Sequence, residues 1–330
     1  MNLEYWRGKR VLVTGADGFI GSHLTERLSQ FGARVSIVVR SSSVSGTTQY
    51  QLKNIPESLA ARIQNIYCCD IATADSIHFI AKSEPEVIYH IASAAYVPFS
   101  FDHPFEHFHV NVTGTLHVLE AARRLTKIER LVITSSSEVY GPKTVDNIDE
   151  SHPLNPTSPY AASKVAADRY CYAYSVMCGL PVSIARMFNT FGPRQIYDVV
   201  PRFVQMALRG EPITVFGTGE QTRDFMYVTD AVNALLTMGA DPRARLRTVN
   251  FGTGREISIR SLAKLVKELT GSRSEVVFLP RRTSEVEGLC CNAGLASALL
   301  EWRPCVRFED GLARTIEWAR ERQQYVARQR

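Results

Sequence analysis

Six short β-rich runs recur in the first 190 residues: RVLVT (10–14), RVSIVV (34–39), RIQNIYCCD (62–70), EVIYHIA (86–92), RLVITSS (130–136) and LPVSIARM (180–187). Helical patterns such as GSHLTERLSQFG and TGTLHVLEAARRL separate most of them. Strands that alternate with helices pair in parallel through crossovers, and the crossovers cover both faces of the sheet. The pattern predicts an α/β fold with a doubly wound parallel sheet. Ligands in such sheets bind beyond the carboxyl ends of the strands.

The rhythm changes near residue 190. GPRQ, GEP, FGTGEQ and PRRTSE are polar loops between shorter elements, which predicts a smaller second α/β lobe. The run RTVNFG (247–252) again reads as a buried strand, so the chain is expected to return to the first lobe. The expected division is therefore interleaved. Residues 1–187 plus about 225–256 form a dinucleotide-binding part, and 188–224 plus about 257–330 form a substrate lobe.

Composition removes several function classes. The 330 residues carry a net charge of +5, much of it in the tail ARERQQYVARQR, which reads as a solvated helix face. No clustered basic stripe or nucleic-acid module appears, so no nucleic-acid partner is expected. No run approaches the roughly 18 uninterrupted apolar residues of a membrane span. The start, MNLEYWRGKRVLVTG, lacks an apolar segment ending in a cleavage site, and a soluble cytoplasmic protein is expected. Seven cysteines without a C-x-x-C pair read as reduced thiols.

Strand RVLVT runs into GADGFIG, which sets Gly15, Gly18 and Gly21 at G-x-x-G-x-x-G spacing, with Phe19 and Ile20 opening a helix. Glycines here let the backbone approach a pyrophosphate and offer it the helix amino end, as in a Rossmann fold. The second strand ends Val39-Arg40-Ser41-Ser42-Ser43, with no carboxylate to grip a ribose 2′-hydroxyl. An arginine among hydroxyls suits a 2′-phosphate, so NADP is favoured and NAD stays open. Arg40 could equally mark a solvated loop. Asp70, after the third strand, either reaches the adenine or caps the next turn.

In SPYAASK, Tyr160 and Lys164 stand four apart, one turn of helix on a common face. A tyrosine serves as a base only if its pKa falls, and an adjacent ammonium with an oxidised nicotinamide would lower it. TSSSEVYG (134–141) follows the apolar run RLVIT and sets Glu138 where a sheet delivers side chains into a cleft.

Taken together, GADGFIG, HIASAA, NVTGT, TSSSEVYG, PYAASK, RMFNTFGPR and TRDF identify the chain as similar to the extended short-chain dehydrogenases/reductases. Within them it resembles the nucleotide-sugar epimerases and dehydratases, closest to the GDP-mannose 4,6-dehydratase branch. The resemblance covers nearly the whole chain. It implies that Ser136 hydrogen-bonds the sugar hydroxyl that Tyr160 deprotonates, while Lys164 holds the nicotinamide ribose. Ile71, His90 and Ala92 would join the cofactor site, with His90 packed beside the nicotinamide ribose.

In the 4,6-dehydratases the catalytic serine or threonine is followed by Asp-Glu or Ser-Glu, and this chain has Ser137-Glu138. Oxidation at C-4 makes the C-5 proton acidic; a carboxylate removes it, water leaves from C-6, and hydride returns to C-6. A 4-epimerase has no such work for Glu138. The resemblance thus implies a 4,6-dehydratase, a lyase, with Ser137 leaving open which acid protonates the departing hydroxyl; Glu138 could do both jobs. A 4-epimerase, a UDP-uronic acid decarboxylase, a 5,6-dehydratase and a non-catalytic dinucleotide sensor remain alternatives. Glu138 could instead cap a loop amide or pair with an arginine.

Asn189, Arg223 and Arg282 match family positions that hold the nucleotide diphosphate, a task suited to guanidinium groups. Arg223 could otherwise pair with Asp224, and adjacent Arg281 competes with Arg282 for the inward position. His103, His107 and His109 with Glu106 read as part of an interface helix and not as a metal site. Family members pair through helices beginning near Phe105 and Tyr160, so a homodimer with a four-helix interface is expected.

Overall fold

The structure is a computed structural model that describes residues 3–40, 44–45, 51–282 and 286–328. Ser41–Ser43 and Thr283–Glu285, which belong to two of the motifs above, lie outside the described residues.

Seven strands form one wholly parallel sheet: β1 (Arg10–Thr14), β2 (Arg34–Val39), β3 (Asn65–Cys68), β4 (Val87–His90), β5 (Arg130–Ser136), β6 (Val182–Met187) and β7 (Thr248–Phe251). Their order is β3-β2-β1-β4-β5-β6-β7. The chain first winds outward from β1 through β2 to β3, then restarts at β4 and winds the other way. Loops leaving β1 and β4 therefore part in opposite directions, opening a crevice at their carboxyl ends.

Every residue of β4 and of β6 is buried, which is why these strands read as continuous and not alternating runs. On one face α1 (Phe19–Gln30) and a helix over Val228–Ala240 pack Leu24, Leu28 and Leu235 against Val13 and Tyr89. On the other face Leu119 and Cys171 pack against Leu12 and Ile88. They come from α2 (Gly114–Arg123) and α3 (Pro159–Cys178).

Beyond β6 the chain builds smaller units. Asn189–Phe191 pairs in parallel with Thr222–Tyr227, which also pairs with Glu256–Ser258 and Gly288–Leu289. A separate parallel pair joins Ile213–Phe216 to Val276–Leu279, beside α4 (Val199–Arg209). The run around RTVNFG returns to the large sheet, where β7 pairs with β6.

Candidate active site

The glycine turn after β1 has a geometry that only glycine can supply. Gly15 takes φ +69°, and a Cβ there would lie 2.7 Å from the Ala92 amide nitrogen. A Cβ on Gly21 would strike the Gly15 carbonyl, so α1 can start close against the end of β1. Asp17 accepts hydrogen bonds from the amides of Lys53 and Asn54 at 2.9 and 2.8 Å and pins that segment beside the turn. The result is a cradle of exposed backbone at a helix amino end, which fits a dinucleotide pyrophosphate.

That cradle is one wall of a cleft of ≈ 410 Å³. Gly15, Gly18, Phe19, Ile20 and Gly21 line it, as do Arg40, Ile71 and Ala92. Ser136, Ser137, Glu138, Tyr160, Lys164 and Asn189 line the same cleft. Groups from two predicted sites thus share one space.

Two predicted cofactor residues do not line it. Asp70 is exposed, and its Oδ1 accepts from the Ala72 amide at 2.9 Å, so of its two readings the turn cap is the one observed. His90 is buried and lies outside the cleft lining. Its Nδ1 lies 2.8 Å from Thr14 Oγ1 and its Nε2 3.0 Å from Thr115 Oγ1. Because Thr115 Oγ1 donates to the Asn111 carbonyl, it accepts from His90 Nε2–H, which assigns the proton to that nitrogen. Burial, and next the charge of Lys164, lower the His90 pKa to about 3, so the ring is a neutral strut between β1 and α2.

The catalytic candidates are positioned by two caps. Ser136 ends β5, and its hydroxyl accepts from the Glu138 amide at 3.2 Å, turning the chain into the cleft. Ser158 caps α3 through the Ala161 amide, Pro159 stands in the first turn, and Gly179 closes the helix in the left-handed region. Asn111 ties the loop after β4 to α3: its amide group bonds Ala94 on both sides and donates to Ser163 Oγ at 2.9 Å.

On this helix Tyr160, Lys164 and Asp168 recur every four residues, exposed by only 7%, 6% and 1%. Ser136 hydrogen-bonds the Tyr160 hydroxyl. The Tyr160 phenol is shifted upward. Burial pushes it above the ordinary phenol value, the Ser136 hydrogen bond opposes the rise, and Glu138, Tyr197 and Asp198 add to it. Lys164 Nζ donates to the Thr134 carbonyl at 2.6 Å. Burial lowers the Lys164 pKa to about 8, partly offset by Asp168. Asp168 in turn is held by Arg186, whose Nε and Nη2 both lie 2.9 Å from Oδ2.

The third set converges less. Asn189 lines the cleft with its Oδ1 buried and unpartnered, an acceptor available to a ligand. Arg223 lies outside the cleft lining and donates to the carbonyls of Thr222 and Val286 at 2.8 and 2.9 Å. The pairing with Asp224 is not seen: that carboxylate accepts from the amides of Thr253, Gly254 and Cys291. Arg282 stacks 3.9 Å over the Phe216 ring and its charge reaches Asp198, whereas Arg281 pairs with Glu287. Arg282 is electrostatically coupled to the cleft through Asp198.

Sequence reasoning missed the loop Arg194–Asp198, which supplies another part of the cleft wall. Arg194 is anchored on Glu26 of α1 at 2.7 Å, and the Tyr197 ring meets Tyr96 across a 5.6 Å centroid separation. Within GPRQIYD the one available signal is an aspartate directly before an amphipathic helix, which reads as a cap. Among the described residues no group of three or more His, Cys, Asp or Glu is placed to hold a metal, and no helix is long and apolar enough to cross a membrane.

Comparison with known proteins agrees with this geometry. The family model described as GDP-mannose 4,6 dehydratase matches residues 12–315. UDP-glucuronic acid decarboxylase 1 of Xenopus tropicalis is 35% identical, over 97% of this chain and 74% of its own length. The structure of an epimerase from Methanothermobacter thermautotrophicus superposes with a TM-score of 0.90 at 32% identity, covering 99% of this chain and 96% of that one. A UDP-glucuronic acid 4-epimerase of Bacillus cereus, solved with UDP-glucuronic acid and NAD, gives a TM-score of 0.82 at 27% identity, over 94% and 99% of the two chains. On the family model and on relatives alike in sequence and fold, the chain belongs to the extended short-chain dehydrogenase/reductase family of nicotinamide-dependent nucleotide-sugar epimerases and dehydratases.

Proposed function

We propose that the protein is a nucleotide-sugar 4,6-dehydratase. The observation that carries this reading is Glu138, a carboxylate that lines the cleft and acts electrostatically on Tyr160. The cradle of Gly15, Gly18 and Gly21 would hold the pyrophosphate of a nicotinamide dinucleotide, with Lys164 near its ribose. When bound, the nicotinamide supplies oxidation at C-4 of the sugar and hydride return at C-6. Tyr160 takes the C-4 hydroxyl proton, and Ser136 orients that hydroxyl through the hydrogen bond it already makes to the phenol. Tyr160 starts with a raised pKa, so it needs the positive charge of Lys164 and of the oxidised ring to act as a base. Glu138 then removes the acidified C-5 proton.

Asn189, with its unpartnered Oδ1, together with Arg223 and Arg282, forms the proposed diphosphate site. Arg40 and Lys53, both exposed on the cleft, favour a 2′-phosphate and hence NADP. Residues 1–187 with about 225–256 are taken as the dinucleotide-binding domain, and the remainder as the substrate lobe. Phe105 (78% exposed) and Val176 (70%), on two packed helices, mark the proposed four-helix homodimer surface in the cytoplasm.

A second reading is favoured by the decarboxylase relative: the same C-4 oxidation would let a C-6 carboxylate leave as carbon dioxide. Incubation with a panel of nucleotide sugars in deuterated water separates these outcomes. Loss of water with deuterium at C-5 is expected. Carbon dioxide release from a uronic acid would make the protein a decarboxylase, and C-4 inversion without deuterium would make it an epimerase. The nucleotide released on denaturation tests the NADP assignment, and light scattering tests the dimer.

A further inference from the structure

Besides Glu138 and the amide-bound Asp17, the cleft is lined by Asp198. Asp198 takes φ 82° and ψ 177°, a combination that non-glycine residues hold only under strain. It precedes α4 at the capping position, yet its side chain caps no amide of that helix. Its Oδ2 accepts instead from Gln195 Nε2 at 3.1 Å, and the same nitrogen donates to the Thr190 carbonyl at 3.2 Å. Gln195 is buried, so a fixed amide holds this carboxylate in the cleft wall.

The charges facing Asp198 come from several elements: Glu138 after β5, Arg202 on α4, and Arg282. Asp198 and Glu138 both act on the Tyr160 phenol from α3, and neighbouring Tyr197 is influenced by Asp198 and Arg40. Solvent reaches Asp198, but the cleft walls crowd it and raise its carboxyl to about 6, against the Gln195 hydrogen bond and with help from Glu138. It can therefore carry a proton near neutral pH.

We propose that Asp198 is the acid of the dehydration, protonating the C-6 hydroxyl as it leaves while Glu138 takes the C-5 proton. This rests on the dehydratase reading above. Glu138 accepts the C-5 hydrogen as a proton, and the electron pair of that bond rests first in the enolate of the C-4 ketone, then becomes the second bond between C-5 and C-6 as that ketone re-forms. The C-6–O bond breaks with its pair on oxygen, which takes the Asp198 proton and departs as water. Asp198 is left as a carboxylate. The adjacent Ser137 hydroxyl is a far weaker acid, so the missing proton has a source elsewhere in the same cleft.

The test uses the holoenzyme, with Asp198→Gly and Asp198→Asn compared with wild type on the sugar panel in deuterated water. Glycine relieves the backbone strain, so Asp198→Gly should melt no lower than wild type. Both variants should lose water at least about 10²-fold more slowly, while recovered substrate still gains deuterium at C-5. Unchanged water loss overturns the proposal, and so does an equal fall in exchange and water loss, which would place Asp198 before proton removal. If wild-type enzyme releases no water from any sugar, the dehydratase reading has failed and the proposal falls with it.

Discussion

Replacing Lys164 by methionine should stabilise the folded protein at neutral pH. Lys164 is 6% exposed, and its pKa is held at about 8 against an ordinary 10.5. Between these values the unfolded chain binds the Lys164 proton more fully than the folded chain, so this group makes stability rise with pH through that window. Below pH 8 its full penalty applies, about 3 kcal/mol at about 1.4 kcal/mol per pKa unit. Methionine removes the penalty but also the hydrogen bond to the Thr134 carbonyl, worth about 1 kcal/mol. The variant should therefore exceed wild type by about 2 kcal/mol at pH 7, draw level near pH 10 and fall below it at higher pH. Urea denaturation of both proteins, freed of bound nucleotide, from pH 6.5 to 10.5 reads this directly. A variant that is less stable at pH 7, or a difference that does not vary with pH, refutes the claim that burial destabilises the charged Lys164.

Asp168→Asn should cost about 3–5 kcal/mol in the same assay, because Arg186, 3% exposed, keeps a buried charge without its carboxylate. The paired change Asp168→Asn with Arg186→Met should recover most of that loss. Gly141→Ala should cost at least about 2 kcal/mol, since Gly141 takes φ 66° and ψ −146° and a Cβ would run into the Asn155 carbonyl. An unchanged urea midpoint would show that the turn after Tyr140 relaxes freely. Tyr160→Phe should leave the urea midpoint within about 0.5 kcal/mol of wild type and reduce turnover by at least about 10²-fold; full turnover in that variant would remove Tyr160 from the chemistry.

Most of the large sheet was legible because its inner strands are covered on both faces and read as apolar runs, every residue of β4 and β6 being buried, whereas the edge strand β3 is only half-buried. RVLVT and RLVITSS correspond residue for residue to β1 and β5. The pairing of Tyr160 with Lys164 was legible for a related reason: helical periodicity fixes which residues share a face, whatever surrounds the helix. The local partners of Asp70 and His90 were not legible. A short strand end offers a polar side chain several partners at similar distances, and here the nearer Ala72 amide and the flanking threonines won.

Local pattern by itself determined the parallel α/β sheet, the glycine cradle and the tyrosine–lysine helix face, since these depend on periodicity and backbone sterics within short windows. Tertiary structure alone decided what each group faces. It paired Arg186 with Asp168 across strand and helix, raised Tyr160 and lowered Lys164 by burying them, and brought Asp198, sixty residues from Glu138, into the same cleft. Desolvation and Coulomb interactions depend on which atoms surround a group in space, and chain order does not encode those neighbours.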